Sequence, residues 1–269
     1  MYFSDFIRQF QKISPAILEN QVCKHPVISV CVQTYQHVNY IKYCLNGILM
    51  QKTFFPYEIL VGEDNSDDGT REICLEYAQQ YPDKIRLFLH HRANNIEIDG
   101  NPTGRFNFLY NLYSARGKYI ALCEGDDYWT DTFKLQKQVD FLEQNSSYTG
   151  TFHKTWLLDQ ATGYSRTWLP YTQESFDLSL SDLISPHPLL HTSSFLFCKS
   201  ALPEIPDFFT TLASGDLALF MLVASHGKLR CIPGHMSVYR KHNQGITEAT
   251  SSHKGIPLHQ NRIHLLNRI

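Results

Sequence analysis

The 269-residue sequence predicts an α/β fold, with a doubly wound, mostly parallel sheet, helices on both faces and a smaller second subdomain. Three observations predict it. Hydrophobic residues make up 43% of the chain, enough to bury a large core. Short β-rich apolar runs alternate with helix-length segments over residues 27–145. Clusters of acidic residues directly follow two of these apolar runs, where open α/β sheets bind ligands.

The elements follow in order along the first half. Apolar runs predict strands at residues 28–35, 58–62, 85–91 and 118–123. Between and after them, helices are predicted at residues 38–50, 70–81, 106–115 and 132–144. The second of these helices is opened by the turn-and-cap run Asn65-Ser66-Asp67-Asp68-Gly69-Thr70.

The pattern changes after Ser147. Strands are predicted at residues 150–158, 192–198 and 229–239, and a helix at 216–225 follows Ser214-Gly215. Residues 94–101 and 169–176 are predicted loops, and a short helix is predicted near 258–266. The chain is thus divided into an N-terminal extension (1–26), a first half (27–147), a second half (148–242) and a tail (243–269), with the two halves forming one continuous domain.

The composition excludes some classes of protein. A formal net charge of -2 gives no broad positive field, so a nucleic-acid partner is not expected. The seven cysteines are an odd number without a Cys-x-x-Cys pair, which favours reduced thiols and a cytoplasmic location. Phe3, Phe6, Ile7, Phe10 and Ile13 recur at helical spacing. This spacing fits a helix packed on the domain, which we favour, or a peripheral contact with the inner face of a membrane.

Carboxylates at two predicted strand ends indicate the chemistry. Glu63-Asp64 ends one strand, although Asp also initiates turns whatever the function. Glu124, Asp126 and Asp127 end another, and three like charges within four residues repel each other unless a cation lies among them. Such oxygen ligands suit Mg²⁺ or Mn²⁺, which completes its coordination with substrate phosphates; a solvated acidic loop is the alternative. The sequence contains no Gly-x-x-x-x-Gly-Lys-Ser/Thr loop and no Gly-x-Gly-x-x-Gly motif, which argues against a P-loop enzyme and against an ordinary dinucleotide-binding enzyme.

Taken together, these segments resemble a known family. Residues 28–36, then 58–70, then 117–127 followed by Tyr128-Trp129 and Lys134-Leu135, are similar in order and spacing to the family 2 glycosyltransferases of GT-A fold. The family usually has Pro-Thr-Tyr-Asn after the first strand, whereas this chain has Gln33-Thr34-Tyr35-Gln36. The resemblance covers about half of the chain.

The resemblance implies roles for particular residues. The nucleoside base would be held by Tyr35, next to Thr34, and by Asp64; ribose and metal would be held by Asp126 and Asp127. Asn107 and Arg105 stand near positions that contact donor groups in related proteins. The list of implied donor-binding residues is therefore Thr34, Tyr35, Asp64, Asn107 and Asp126. For Tyr35, ordinary packing at a strand end is the competing explanation.

The second half supplies a predicted catalytic base and a third metal ligand. Related enzymes carry an acidic residue in a Gly-Glu-Asp-like turn at a helix start, which Ser214-Gly215-Asp216-Leu217 matches, so Asp216 is the predicted general base. A helix N-cap is the alternative for Asp216. The resemblance makes His242 a metal ligand and gives Arg240 or Lys241 a phosphate contact. His191, Thr192 and Ser193 line an acceptor pocket in this interpretation, or simply begin a strand.

The implied activity is a metal-dependent, inverting hexosyl transfer from a nucleoside diphosphate sugar to a glycan or lipid-linked glycan acceptor. Uridine diphosphate is the expected nucleotide by family habit, with thymidine and guanosine diphosphates left open, and surface polysaccharide or glycolipid assembly is the expected setting. Two alternatives remain: a non-catalytic nucleotide-sugar-binding module and a nucleotidyltransferase. The nucleotidyltransferase is less favoured because residues 32–39 contain no Gly, Lys or Arg.

Overall fold

The computed structural model describes residues 1–98, 100–169, 171–185, 189–212 and 214–243. Within them the strands are β1 Ala16–Ile17, β2 Ile28–Thr34, β3 Tyr57–Glu63, β4 Ile85–Leu89, β5 Ile96–Ile98, β6 Asn101–Thr103, β7 Tyr119–Glu124, β8 Tyr128–Trp129, β9 Tyr148–Asp159, β10 Ser165–Thr167, β11 Asp177–Leu178, β12 Leu196–Cys198 and β13 Lys228–Lys241. The helices are α1 Phe3–Phe10, α2 Ile41–Leu49, α3 Thr70–Gln80, α4 Arg105–Ser114, α5 Lys134–Gln144, α6 Leu180–Leu183 and α7 Gly215–Ala224.

One large sheet runs through both halves of the chain. Its main strand order is β1-β4-β3-β2-β7-β12-β9-β13-β11, with β10 paired to β9 and β8 paired to β13. The four strands β4, β3, β2 and β7 are parallel, as are β9 and β13. Antiparallel β12 joins the two groups, because it pairs with β7 on one side and β9 on the other. The strands of the second half therefore extend the sheet of the first half.

The helices cover both faces of this sheet because alternate residues of a strand point to opposite faces. Val30 and Val32 of β2 lie in a core cluster with residues of α2, α3 and α5. Cys31 of the same strand lies in the other cluster, with residues of α1, α4 and α7. β2 is consequently buried along its whole length, as expected for a central parallel strand.

The N-terminal helix packs on the domain. Phe6 is fully buried, and its ring stacks on that of Phe106 in α4 at 5.0 Å. Phe3 is 38% exposed but also contacts Tyr110 and Tyr113. Packing was the favoured expectation for this helix, and the apolar face that carries Phe6 is used for it. None of the helices in the described part of the chain has the length and apolar character needed to span a bilayer.

One predicted strand is wrong in part. Residues 192–198 were expected to be extended throughout, but Thr192–Ser194 form a 3₁₀ turn and only Leu196–Cys198 pair with neighbours. The His191 ring accepts a hydrogen bond from the Ser193 amide, and this cap favours a turn over an extended chain. The predicted loop at 94–101 is also partly ordered, because β5 and β6 form a small hairpin. The helix predicted near 258–266 lies outside the described residues.

Candidate active site

The ends of β2 and β3 hold the residues predicted to bind the base. Asp64 follows β3 and is 4% exposed, and its backbone amide donates to the Thr34 carbonyl. Tyr35 follows β2 and is 39% exposed. Adjacent parallel strands bring their carboxyl ends to the same edge of the sheet, so the two residues share one loop region.

Arg92 connects these two residues, and the sequence interpretation did not single it out. Its Nη1 atom donates to Oδ2 of Asp64 at 2.6 Å, and its guanidinium lies 3.9 Å from the centre of the Tyr35 ring. Asn95 also donates to Oδ2 of Asp64, at 3.1 Å. Burial raises the pKa of Asp64, while the charge of Arg92 opposes that rise. Both donors use Oδ2, which leaves Oδ1 available to a ligand.

Two residues of α4 support the sheet edge from the other face. Asn107 is buried and donates to the Gly62 carbonyl at 2.7 Å, so it fixes the end of β3. Arg105 is also buried and donates through Nη2 to the Leu212 carbonyl at 2.8 Å. Burial lowers the pKa of Arg105 to about 10. In this structure Asn107 therefore shapes the site through the backbone of β3.

The acidic turn after β7 is built tightly against the end of β2. The Gly125 amide donates to the Gln33 carbonyl at 2.9 Å. A Cβ atom at Gly125 would lie 2.6 Å from Oγ1 of Thr34, so glycine is required for this approach. Oγ1 of Thr34 is in turn 3.2 Å from Nδ1 of His37. The hydrogen bond to Gln33 thus holds the turn that carries Glu124 and Asp126 at the edge of the sheet, and Gly125 lets it pack on Thr34.

Asp126 and His242 meet at this edge. Nε2 of His242 lies 3.0 Å from Oδ2 of Asp126, and Nε2 of His37 lies 3.8 Å from the same oxygen. Burial disfavours the charged form of Asp126, but the His242 contact and the nearby His37 lower its pKa overall. Nδ1 of His242 is buried and has no hydrogen-bond partner among the described residues. The Asp126 carboxylate and the His242 imidazole thus form a direct contact at this edge of the sheet.

Asp127 points elsewhere. It is 1% exposed, and its Oδ1 accepts a hydrogen bond from the Arg240 amide at 3.0 Å. Its Oδ2 lies 3.6 Å from Nδ1 of His191. Burial, reinforced by the charge of Asp126, raises the pKa of Asp127 well above its usual range. Of the three predicted metal ligands, Asp126 and His242 contact each other, whereas Asp127 contacts the Arg240 amide and lies near His191.

Arg240 joins the acidic turn to β13. Its Nε donates to the Asp126 carbonyl at 2.9 Å. Its guanidinium lies within 4.7–5.1 Å of three ring centres, those of Tyr40, Tyr43 and Tyr128. The neighbouring Tyr239 contacts the other side of the sheet, where its ring lies 4.5 Å from that of His191. Consecutive residues of β13 therefore point to opposite faces of the sheet, Arg240 towards the acidic turn and Tyr239 towards His191.

The predicted base, Asp216, lies in the second half of the chain. It stands in the first turn of α7, and its Oδ1 accepts from Oγ of Ser214 at 2.5 Å and from the Leu217 amide at 2.8 Å. A Cβ at Gly215 would lie 1.6 Å from Nη1 of Arg105, so the Gly-Asp pair fits because glycine admits the guanidinium. Oδ1 has these local contacts, and Oδ2 is left for another partner.

The charges of the acidic groups shift the pKa values of their neighbours. Burial raises the pKa of Glu124 to about 8, and the charges of Asp126 and Asp216 contribute to this rise. Asp216 and Asp126 also act on His191, whose pKa burial lowers to about 4. Asp216 therefore lies within electrostatic reach of the acidic turn. Perturbed carboxyl groups gathered in this way are typical of functional sites.

The donor set fits a divalent cation. No group of three or more His, Cys, Asp or Glu side chains arranged to hold a metal ion occurs among the residues described. Mg²⁺ and Mn²⁺, however, are commonly bound through one or two protein side chains, with substrate phosphates and water completing the coordination. Asp126 and His242, whose side chains lie 3.0 Å apart, are the candidates for two such ligands.

Comparison with known proteins gives a consistent result. A model of the family described as glycosyl transferase family 2 matches residues 29–195. An uncharacterized protein of Mycobacterium tuberculosis is 34% identical over 219 residues, which cover 81% of this chain and 60% of that protein. The chain thus spans about 60% of the length of this curated relative.

Solved structures share the architecture. TarS residues 1–349 of S. aureus, in complex with UDP-GlcNAc, match with a TM-score of 0.59 at 18% identity, covering 81% of this chain and 59% of that one. The mannosyltransferase PcManGT of Pyrobaculum calidifontis, in complex with GDP-Man and Mn²⁺, matches with a TM-score of 0.59 at 17% identity, covering 98% and 70%. At these identities the likeness establishes the fold, and it confirms the predicted α/β class.

Proposed function

The chain belongs to glycosyl transferase family 2, and from this premise we propose that it transfers a sugar from a nucleoside diphosphate sugar to an acceptor hydroxyl, inverting the anomeric carbon. The contact of Asp126 with His242, 3.0 Å apart at the carboxyl end of β7, carries the proposal, and the charge of Asp216, from the second half of the chain, contributes to the raised pKa of Glu124 beside it. This supports placing a candidate base near a candidate diphosphate site.

The base of the donor is bound at the ends of β2 and β3. Tyr35 offers a ring face, and Oδ1 of Asp64 can accept a hydrogen bond from a base N–H. Arg92 beside it can donate to a base carbonyl. This pairing suits uracil, thymine and guanine, which present N–H next to C=O. We assign uridine diphosphate as the donor nucleotide, with the other two as alternatives.

Asp126 and His242 hold a divalent cation, Mn²⁺ or Mg²⁺, together with the donor diphosphate. When bound, this cation supplies Lewis-acid stabilisation of the departing diphosphate. Asp127 holds the turn through the hydrogen bond from the Arg240 amide to its Oδ1, and its predicted role as a metal ligand, through Oδ2, stays a prediction. Arg240 fixes the Asp126 carbonyl from β13. Since these contacts hold the backbone of the turn that carries Asp126, Arg240 and Asp127 also act as positioning residues.

Asp216 is the general base. Its Oδ1 is held by Ser214 and Leu217, and its Oδ2 removes the proton of the acceptor hydroxyl as that oxygen attacks the anomeric carbon. The bond from the anomeric carbon to the diphosphate oxygen breaks as the new glycosidic bond forms. A single displacement of this kind inverts the configuration.

We place the reaction in the cytoplasm, in surface polysaccharide or glycolipid assembly. All seven cysteines have free thiols, six of them buried or half-buried, which supports a reducing compartment. The acceptor in this setting is a glycan or a lipid-linked glycan. The alternative of a binding module without catalysis would require the donor site but would not depend on Asp216.

Product analysis tests the proposal. The protein is incubated with a panel of UDP-, TDP- and GDP-sugars, Mn²⁺ and candidate acceptors, and the products are identified by mass spectrometry. Release of nucleoside diphosphate with a glycosylated acceptor supports the proposal. Pyrophosphate release in a parallel incubation with UTP and a sugar 1-phosphate would indicate a nucleotidyltransferase. Donor binding without any turnover, even to hydrolysis, would indicate a binding module.

A further inference from the structure

Four aromatic rings lie at the surface where α2 and the loop after it meet β8 and the start of α5. Phe54 of this loop is 98% exposed, Tyr43 of α2 is 58% exposed, and Phe133, directly before α5, is 47% exposed. The half-buried ring of Tyr128 lies 6.1 Å from that of Tyr43. Single exposed apolar side chains are common, but a group of them in one region is typical of an interaction surface. We call Tyr43, Phe54, Tyr128 and Phe133 the aromatic seam.

Backbone contacts place the two sides of the aromatic seam next to each other. The Lys52 amide donates to the carbonyl of Thr132, directly before Phe133, at 2.8 Å. Two residues later, the Phe54 amide donates to Oε1 of Gln136 at 2.9 Å, and Gln136 lies about one helical turn after Phe133. The two phenylalanines therefore belong to one continuous surface.

The loop holds the Phe54 ring outward. Phe55, the next residue, packs against the core cluster that contains residues of α2 and α3. The Thr53 hydroxyl donates to the Phe55 carbonyl at 2.7 Å, and the Phe54 amide is already bonded to Gln136. Because the backbone on both sides of the ring is fixed, the loop loses little conformational freedom when the ring is buried against a partner.

Lysines flank the aromatic seam. Lys42 in α2 and Lys52 in the loop are both exposed, and neither forms a salt bridge within the described part of the chain. Lys137, one turn after Phe133, is instead paired with Asp131 at 2.6 Å. Two positive charges are thus left uncompensated beside the rings. Lysine is depleted in protein interfaces, whereas aromatic rings flanked by lysines suit the surface of a bilayer with anionic headgroups.

We propose that the aromatic seam docks this protein on a bilayer that contains anionic lipids. Phe54 and Phe133 enter the boundary between headgroups and acyl chains, and Lys42 and Lys52 contact lipid phosphates. The contact is peripheral and uses a surface distinct from α1, whose Phe6 is buried in the domain. This docking goes beyond the proposed function and does not depend on it.

The aromatic seam leads to the candidate site. The guanidinium of Arg240 lies 5.0 Å from the Tyr43 ring and 4.7 Å from the Tyr128 ring, and its Nε donates to the Asp126 carbonyl at 2.9 Å. A bilayer bound at the seam therefore lies beside the proposed cation site, where a lipid-linked acceptor would present its glycan. Only this last consequence rests on the proposed function.

Vesicle sedimentation tests the docking surface without depending on turnover. The full chain is incubated with vesicles of phosphatidylcholine alone, or of phosphatidylcholine and phosphatidylglycerol in equal parts, and the pelleted fraction is measured against lipid concentration. The parent protein should bind the mixed vesicles more tightly. Phe54→Ser should weaken this binding about tenfold, as expected when one phenyl ring loses its apolar contact, and Phe54→Trp should retain it. Lys42→Ala combined with Lys52→Ala should remove the preference for phosphatidylglycerol.

Two exposed residues away from the seam provide matched controls. Ile17 is 57% exposed on the edge strand β1, and Lys228 is exposed at the start of β13, the end opposite Arg240. Ile17→Ala and Lys228→Ala should bind vesicles like the parent. Because Phe54 is 98% exposed, Phe54→Ser should keep the parental melting temperature, which separates a loss of docking from a loss of folding.

The contrary outcomes are distinct. The proposal is overturned if the parent binds neither kind of vesicle, if Phe54→Ser binds as the parent does, or if only Phe3→Ala, in α1, loses binding. A parent dimer in light scattering that Phe54→Ser converts to a monomer would make the seam an interface between copies and would also overturn lipid docking. Donor hydrolysis without vesicles should be equal in Phe54→Ser and the parent. Its absence from the parent would refute the proposed function and leave the vesicle result standing.

Discussion

The imidazole of His242 lies 3.0 Å from the carboxylate of Asp126, although 116 residues of sequence separate them. The contact exists because β13 ends beside the turn that follows β7, and Arg240 joins the two. If this carboxylate and imidazole together bind a cation, removal of either side chain should weaken cation binding.

We expect Asp126→Asn and His242→Ala to weaken Mn²⁺-supported UDP binding. Loss of a metal ligand should cost at least the roughly 10–100-fold that is typical when a residue supporting a ligand is removed. Calorimetric titration of UDP with Mn²⁺ and with EDTA measures it, and His226→Ala, at an exposed histidine, is the control. Equal UDP affinity in Mn²⁺ and EDTA for the parent protein would contradict the metal role.

Asp64→Ala should weaken uridine and UDP alike, by about 1–3 kcal/mol, because the base loses a buried acceptor. This loss of affinity should be the same with and without Mn²⁺, whereas the loss of UDP affinity in Asp126→Asn should appear only with Mn²⁺ present. A double-mutant cycle with Arg92→Ala should show coupling, since Arg92 donates to Asp64 at 2.6 Å. Asp67→Ala, in the same loop, serves as the control. Undiminished uridine binding by Asp64→Ala would argue against a base contact.

Asp216→Asn should lower kcat by about 10²–10⁴-fold, because the amide cannot take up the acceptor proton. Asparagine keeps an Oδ1 atom, which retains the hydrogen bonds from Ser214 and Leu217. Melting temperature and UDP affinity should therefore stay close to the parent values. Asp140→Asn, on the exposed side of α5, is the matched control. Near-parental turnover, or a product whose anomer retains the donor configuration, would remove Asp216 from the mechanism.

The free energy of unfolding should fall in mild acid because of His90. This ring is 1% exposed among Phe106 and Tyr110, its nitrogens have no hydrogen-bond partner among the described residues, and burial lowers its pKa to about 3. Between pH 6.5 and 3 the unfolded chain binds the proton more strongly than the native one. Because of His90 alone, the free energy of unfolding should therefore fall by about 2 kcal/mol on going from pH 6.5 to pH 5.

Urea unfolding at pH 7 and pH 5 measures this effect. His90→Phe, which fits the aromatic surroundings, should reduce the difference in stability between the two pH values. His25→Gln, at an exposed histidine, should leave it unchanged. An equal pH dependence in His90→Phe and the parent would show that His90 titrates normally in the folded protein.

Much of the fold could be predicted because its signals are local. The apolar runs of β2, β3, β4 and β7, and the helices α3 and α4, lie within a few residues of their predicted positions. The turn before α3 also follows from its residues, since Asp68 accepts from both the amide and the hydroxyl of Thr70. Strands of two or three residues, such as β8 and β10, are too short to show a period and depend on pairing with β13 and β9.

The candidate site could be predicted residue by residue but not as an arrangement. Consecutive residues of a turn point in different directions, so the sequence could not show that Asp126 faces His242 while Asp127 faces the Arg240 amide. Arg92 was missed because its contacts with Asp64 and Tyr35 cross 28 and more residues of chain. The signal that was available is the arginine just beyond a predicted strand end, at the same edge as Asp64.

The alternation along the end of β13 restricts how related proteins can differ in length. Arg240 and His242 face the proposed cation site, and Tyr239, directly before Arg240, lies on the opposite face with its ring 4.5 Å from that of His191. Insertion or deletion of one residue between Ser237 and His242 would send each side chain to the opposite face and exchange the two sets of contacts. The register irregularities between Ile232 and Ser237 lie earlier in the strand, where an extra residue is absorbed before the site is reached. Homologues with altered donor or acceptor preference should accordingly vary in length before Ser237 and keep the spacing after it.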